Sequence, residues 1–337
     1  MEILMGGKMQ IPDDLVMHEG ELIRDVSPND EMYAGDKDGG DWYWFVGRSA
    51  IECISHCMAA AGKRARDVTR ILDFPCGHGR VMRYLKLAFP HAEITACDLL
   101  RDGVDFCASR FGAVPVYSHN DPTRIGLQRR AFDLIWVGSL FTHLPGTRWN
   151  SFLNLFASSL REDGLLVFSA HGLLVYYRIK GIDRSYNYGL PHWRDTLVCH
   201  SYERNGMGYA NYAQSADYGI SLSNPAWVCD QIRRIPELTM VHFSASAWHN
   251  YHDVYACRRL SDNQIVNPTS SIAYWKNKVR NLTPRKLVQV KRRFFGYSKG
   301  WQLASRIDAA AFDAPSIYRT LPKNTREFRS HARARIA

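Results

Sequence analysis

Long apolar runs are missing from this 337-residue chain: no stretch reaches the roughly 18 apolar residues that a bilayer-spanning helix needs. The opening MEILMGGKMQIPDDLVMHEG also lacks the basic flank, apolar run and small-residue cleavage site of a secretory signal, so the chain is expected in the cytoplasm. No C-x-x-C pair occurs among the eight cysteines Cys53, Cys57, Cys76, Cys97, Cys107, Cys199, Cys229 and Cys257. Cys53 and Cys57 stand one helical turn apart, and Ala60 holds the place of a third cluster-ligating cysteine. A disulfide framework, a zinc site and an iron–sulfur cluster are therefore not expected, and the thiols read as small core residues. Internal repeats and low-complexity segments are absent too.

Acidic residues are scarce at one end only. Residues 261–337 hold 16 Lys and Arg against 4 Asp and Glu, so this extension carries +12 of a chain whose total is +10. The rest is near neutral. Basic character thus belongs to an appendix, which weakens any nucleic-acid reading drawn from the net charge alone.

What is present is an alternation of periods. Residues 1–40 are polar and rich in Gly and Asp, and read as loop. From Trp42 to Ala61 an aromatic opening leads into apolar residues at helical spacing, predicting a helix that stops near Gly62. Strands follow over 68–74, 93–97, 114–117, 132–137 and 165–170, with helices over 79–88, 102–111 and 147–160 between them. Such alternation implies a parallel sheet covered on both faces. Two further strands, near 238–244 and 253–258, are joined by SASAWHNYH and suit an antiparallel pair. Between His171 and Pro236 the period breaks down. Aromatic residues crowd there with Asn, His and Gly, among them Tyr186, Tyr188, His192, Trp193, Tyr202, Tyr209, Tyr212 and Tyr218. The division expected is an N-terminal segment with a lid helix over 1–66 and an α/β domain over 67–260. The domain carries an insertion at 171–236, and the basic extension covers 261–337.

The segment ILDFPCGHGR ends a buried strand and opens a helix. Glycines 77 and 79 let backbone approach a ligand closely, and the helix start offers unpaired N–H groups. Asp98 ends the next strand, 19 positions after Gly79, where a carboxylate can accept both hydroxyls of a ribose. A nicotinamide enzyme would more usually show G-x-G-x-x-G, whereas Gly79 is followed here by Arg80, Val81 and Met82.

DFPCGHGR resembles motif I of class I S-adenosylmethionine-dependent methyltransferases. TACDLL resembles their second motif, FDLIWVGSLFTHL their fourth, and LREDGLLVF the strand after it. The likeness runs over residues 67–170, and the strands at 238–258 fit the family's antiparallel ending. It implies a Rossmann-like, seven-stranded, mostly parallel sheet with an antiparallel last strand, and S-adenosyl-L-methionine as cofactor. By that resemblance Asp73 and the Cys76–Gly77–Gly79 backbone face the methionine part of the cofactor. Asp98 holds the ribose, Leu99 lies beside the adenine, and Gly138, closing the fourth-motif strand, borders the same crevice. Pro75 departs from the pattern, standing where the family has its first glycine; it gives up an N–H but keeps a carbonyl that can accept from the cofactor's ammonium. In YSHNDP the adenine-facing residue is His119, Asn120 or Asp121, with Asn120 favoured. Arg48, after the aromatic run WYWFVG, and Arg80, at the first turn of the cofactor helix, are alternatives for pairing with the methionine carboxylate.

Methyl transfer to oxygen needs a group to take the proton, held at the carboxyl ends of the strands. His143, His252 and Asp253 are the leading candidates; His171 and His249 occupy similar places. Each has an ordinary structural alternative, as a capping or hairpin residue. No ligand spacing diagnostic of a metal appears, and none is expected. NPAW at 224–227 imitates the Asn-Pro-Pro-Tyr loop of base-modifying enzymes but comes far too late in the chain; Asn224 as helix cap with Pro225 in the first turn is the expected role. The insertion reads as a substrate cover whose rings suit sugar faces, or as a small aromatic core. The motifs also resemble bacterial methyltransferases connected with surface-glycan decoration. The leading expectation is therefore O-methylation of a polar small molecule or glycan precursor. The alternatives are a nucleic-acid methyltransferase using PRKLVQVKRRFFGYSK (284–299) as an arm, and a cofactor-binding module without catalysis. The same basic segment could instead rest on an anionic membrane surface, making the protein peripheral there. Oligomeric state is not readable.

Overall fold

The computed structural model describes residues 15, 17–33, 41–181, 192–212 and 218–265, apart from the side chains of Glu19, His192 and Trp193. Nearly all of the basic extension, including the arm at 284–299, lies outside the described residues. So do Tyr186 and Tyr188.

Helix α1 (Asp41–Ala60) is the first α-helix among the described residues. Strands β1 (Arg70–Asp73), β2 (Glu93–Asp98), β3 (Val114–Tyr117), β4 (Phe132–Val137) and β5 (Leu160–Ala170) then alternate with α2 (Met82–Ala88), α3 (Arg101–Phe111) and α4 (Gly146–Ser159). The insertion contributes α5 (Leu173–Ile179), α6 (His192–Asn205), β6 (Met207–Asn211) and β7 (Gly219–Ser223). Helix α7 (Pro225–Ile232) leads into β8 (Leu238–Trp248) and β9 (His252–Arg259).

Seven strands form one sheet in the order β3-β2-β1-β4-β5-β9-β8. The first five are parallel, β9 runs antiparallel to β5, and β8 antiparallel to β9. The parallel strands are those expected from the alternating periods, and the whole is the Rossmann-like sheet that the family resemblance implied. The reversal of strand order beside β1 opens a crevice at the carboxyl ends of β1, β2 and β4, the place where such sheets bind ligands.

Two-sided burial explains why the strands read as unbroken apolar runs. Along β4, Leu134 and Trp136 enter one core with α1, α2 and α3 residues such as Ile51, Met82 and Val104. Ile135 and Val137 enter the opposite core with α4 and α7, through Phe152, Phe156 and Val228. Seven of the eight cysteines are buried and all are free, filling these cores as small apolar groups. Asn224 caps α7, its side-chain oxygen accepting from Trp227 N at 2.8 Å, and Pro225 holds the first turn.

Two local readings change. The SASAWHNYH linker is mostly strand: β8 runs on to Trp248 and the turn shrinks to residues 249–251, with His249 and Asn250 at positive φ. The aperiodic insertion is largely regular. Its helices α5 and α6 and the β6–β7 hairpin share a small core of Val175, Val198, Cys199, Tyr202, Ile220, Leu222 and Tyr251. Short elements burying aromatic rings leave no clean hydrophobic period, so the sequence hid them.

Candidate functional site

The chain leaves β1 at Asp73 through the Phe74–Pro75 bond, which is cis. Phe74 N donates to Trp136 O (3.0 Å) and Cys76 N to Cys97 O (3.1 Å), stitching the bend to both neighbouring strands. Gly77 (φ +50°) and Gly79 (φ +83°) supply left-handed turns closed to most side chains. A Cβ at Gly79 would also overlap the Phe111 ring.

The bend and the acid at the next strand end meet directly. Gly77 N donates to Asp98 Oδ2 at 2.7 Å, and Leu100 N to Asp98 Oδ1 at 3.0 Å. Burial pushes the Asp98 carboxyl up, while these N–H groups hold it back. Asp73 is deeper, its Oδ2 without a hydrogen-bond partner among the described residues. Burial and the nearby Asp98 push its carboxyl well above the usual range. Two acids crowded into one crevice favour a positively charged ligand between them. Beside Asp98, Leu99 and Leu100 are 57% and 54% exposed, an apolar ledge open to solvent. Asn120 is exposed at the same end, its carbonyl accepting from Arg148. Gly138 is buried; a Cβ there would come 2.7 Å from Trp136 Nε1 and 3.0 Å from the Trp248 ring.

The two candidate arginines separate. Arg48 is half exposed and pairs with Glu52 across one helical turn at 3.5 Å. Arg80 turns inward, its guanidinium 5.9 Å from the Tyr43 ring, with no hydrogen bond or ion pair among the described residues. Burial lowers its pKa.

A third arginine escaped the sequence reading. Arg83 is fully buried and donates to Gly79 O (3.1 Å), Ile23 O (2.8 Å), Asp25 O (3.0 Å) and the Tyr43 hydroxyl (3.1 Å). Tyr43 in turn donates to Asp30 at 2.7 Å. One guanidinium therefore fastens the N-terminal segment to the glycine bend. Nothing in the sequence separates Arg83 from a surface arginine, since the partners that bury it, Tyr43, Ile23 and Asp25, lie 40, 60 and 58 residues away. Asp102 is another unforeseen support, accepting from His78 Nε2 at 3.0 Å and from Asn29 at 3.4 Å.

Four histidines gather at the carboxyl ends of β4 and β5 and around the β8–β9 turn. His143 and His171 have ring centroids 6.2 Å apart, His171 and His252 4.7 Å, and His252 and His249 4.7 Å. His143 lies under Tyr218, stacked at 4.6 Å. Burial pulls the pKa of each ring down, well below the usual value for His171 and His252 and to about 3 for His249. All four are neutral at pH 7. Asp253, beside them, accepts from Ser246 N at 2.8 Å and lies against Gly172; burial raises its pKa to about 6. Among the described residues no group of three or more His, Cys, Asp or Glu is arranged to hold a metal ion. No helix there is long and apolar enough to cross a membrane.

Comparison with known proteins adds to this geometry. Residues 71–164 match the model of a methyltransferase domain family. A fatty-acid O-methyltransferase of Mycolicibacterium smegmatis is 27% identical over 130 residues, 38% of this chain and 42% of the relative. The chain thus spans less than half the length of that relative. Among solved structures, a 1,6-didemethyltoxoflavin N1-methyltransferase from Burkholderia thailandensis aligns with a TM-score of 0.42 and 16% identity, covering 63% of this chain and 79% of that one. A protein from Pyrococcus horikoshii aligns at 0.44 and 14%, covering 63% and 90%.

Proposed function

We propose that the chain, which matches a methyltransferase domain family over residues 71–164, is a class I S-adenosylmethionine-dependent methyltransferase that methylates an oxygen of a polar small molecule or glycan precursor. The observation that carries this reading is the junction of Gly77 N–H with Asp98, with histidines gathered at the ends of the adjoining strands. The residues present suit the cofactor. Asp73 and Asp98 place negative charge where a sulfonium and an ammonium would neutralise it, and Asp73 Oδ2 lacks a protein partner. Each Asp98 oxygen accepts one backbone N–H and keeps a lone pair for a ribose hydroxyl. Leu99 and Leu100 offer apolar surface for an adenine. Pro75 and Cys76 shape the bend toward the methionine part. Arg80, lacking a carboxylate partner, is assigned to the methionine carboxylate in preference to the already paired Arg48.

When bound, the cofactor supplies an electrophilic methyl group. The protein's part is to hold an acceptor oxygen in line with that methyl, exclude water and take the acceptor's proton. His143 is assigned as the base: it is neutral, half-buried and at the end of β4 beside the crevice. His252 and Asp253 complete the wall, Asp253 carrying the turn that bears His249 and His252 by holding Ser246 N. The Mycolicibacterium relative, an O-methyltransferase by name, supports oxygen as the acceptor atom. The insertion forms the cover over the acceptor.

Titration calorimetry with S-adenosylhomocysteine and with NAD tests the cofactor, and binding of NAD alone would end the reading. Labelled cofactor incubated with sugar nucleotides, lipid-linked glycans, fatty acids and RNA tests the acceptor. Transfer to RNA, with no small molecule modified, would replace it by a nucleic-acid enzyme working through the basic extension.

A further inference from the structure

We infer that the acceptor group is a neutral hydroxyl and not a carboxylate, because backbone carbonyls of β7 and the hydroxyl of Ser169 fix which nitrogen of each clustered histidine carries its proton. The inference rests on the function proposed above and narrows its substrate class.

His143 Nδ1 lies 2.8 Å from Gly219 O. A carbonyl oxygen only accepts, so Nδ1 must carry the hydrogen, and Nε2 is left with a lone pair. Two residues along the same strand, Ser221 O sits 3.2 Å from His171 Nδ1 and imposes the same choice. His252 is set the other way. Ser169 is fully buried, and its Oγ accepts from Ser139 N at 2.9 Å. The Ser169 hydrogen then has one acceptor among the described residues, His252 Nδ1 at 3.2 Å. His252 Nδ1 therefore accepts, and Nε2 carries the hydrogen. Nε2 of His143 and Nε2 of His252 have no hydrogen-bond partner among the described residues.

The crevice thus presents a hydrogen-bond acceptor at His143 and a donor at His252. A hydroxyl satisfies this pattern, donating to His143 Nε2. A carboxylate would bring lone pairs against lone pairs, and with all four rings neutral no imidazolium offsets the mismatch. Of the two cations that act on His249, Arg80 is assigned to the cofactor, and Arg178 lies over the Tyr251 ring at 4.6 Å. The step balances simply. The carbon–sulfur bond breaks with its electron pair returning to sulfur, the acceptor oxygen forms the new bond to carbon, and the hydroxyl proton passes to His143 Nε2.

The test is nitrogen-15 NMR of the full chain, labelled at histidine and saturated with S-adenosylhomocysteine, at pH 7. Signals are assigned with His143→Gln, His171→Gln and His252→Gln. The expected result is an unprotonated-type shift for Nε2 of His143 and His171 and for Nδ1 of His252. Ser169→Ala should release His252 into the other tautomer without moving His143, and Ser169→Thr should restore it. A protonated Nε2 on His143, an imidazolium there, or displacement of the His143 signal by acetate but not by methyl glucoside would overturn the inference. Failure to bind S-adenosylhomocysteine would instead remove the underlying functional reading.

Discussion

Replacing Asp98 by Asn alters one charge and almost no volume, so its effect can be worked from the contacts. The side chain is 7% exposed and already accepts from Gly77 N and Leu100 N. Its remaining lone pairs are the ones assigned to the ribose. A hydrogen bond to an ionised acceptor contributes about 1.5–3 kcal/mol, so two are worth roughly 3–6 kcal/mol, or about 10²–10⁴ in Kd. An amide keeps one acceptor oxygen, and whichever way it turns, its NH2 faces a backbone N–H. The loss is therefore at least one ribose contact plus one anchor of the bend. Calorimetry should show S-adenosylhomocysteine binding weakened by about 10² or more, with a fold that still melts cooperatively. The control is Asp105→Asn, an exposed acid seven residues on that accepts from the Tyr117 hydroxyl, which should alter affinity only a few-fold. If D98N binds S-adenosylhomocysteine within about threefold of the parent while folded, the carboxylate does not hold the ribose and the cofactor assignment fails.

Gly79→Ala combines a left-handed φ with overlap on the Phe111 ring and should cost roughly 2–4 kcal/mol in urea unfolding. Gly77→Ala, whose Cβ meets nothing within 4 Å, should cost only about 1–2 kcal/mol. Arg80→Lys should raise the cofactor KM about tenfold by removing a fork-shaped donor, whereas Arg48→Ala should leave it nearly unchanged. Asp253 has a folded pKa raised from 3.8 to about 6, so its contribution is present below about pH 4 and lost as pH rises through 6. Asp253→Asn should therefore stabilise the fold at pH 7, by at most about 3 kcal/mol, and hardly at all at pH 4. The four histidines act oppositely: their folded pKa values are lowered, so stability present above pH 6.5 falls as the unfolded chain takes up protons below it. Unfolding midpoints at pH 7 and pH 5 should show that decline, and a flat profile would contradict the neutral cluster.

The parallel strands and the glycine bend were legible because period and motif report local necessity. A strand buried on both faces must be apolar throughout, and a chain turning through φ +83° against Phe111 must place glycine there. Asp98 was legible for the same reason, since spacing alone carries it to the neighbouring strand end. Long-range supports were not. Arg83 looks like any helix arginine, and only the tertiary fold shows its N–H groups answering carbonyls of Ile23 and Asp25. Ser169 reads as a small strand residue, and its link from Ser139 N to His252 joins three segments. The histidines could be named from their places after strands, but their protonation could not. That depends on the strand facing them, inside an insertion whose short aromatic elements leave no period.

The insertion was read as either a substrate cover or a small aromatic core, and its β7 strand shows why these need not compete. A carbonyl can fix a histidine tautomer only if it stays put relative to the ring. Strand β7 is tied along its length to the crevice: Ser221 N donates to Thr142 O at 2.8 Å, Gly219 N to His143 O at 3.4 Å, and Ser223 N to His171 O at 2.9 Å. On its other side Ile220 and Leu222 are buried with Val175, Val198 and Tyr202. Alternation along one strand therefore sends apolar side chains into the satellite core while the carbonyls of Gly219 and Ser221 face the two histidines. The small core holds the strand still, and the stillness of the strand sets the chemistry of the rings.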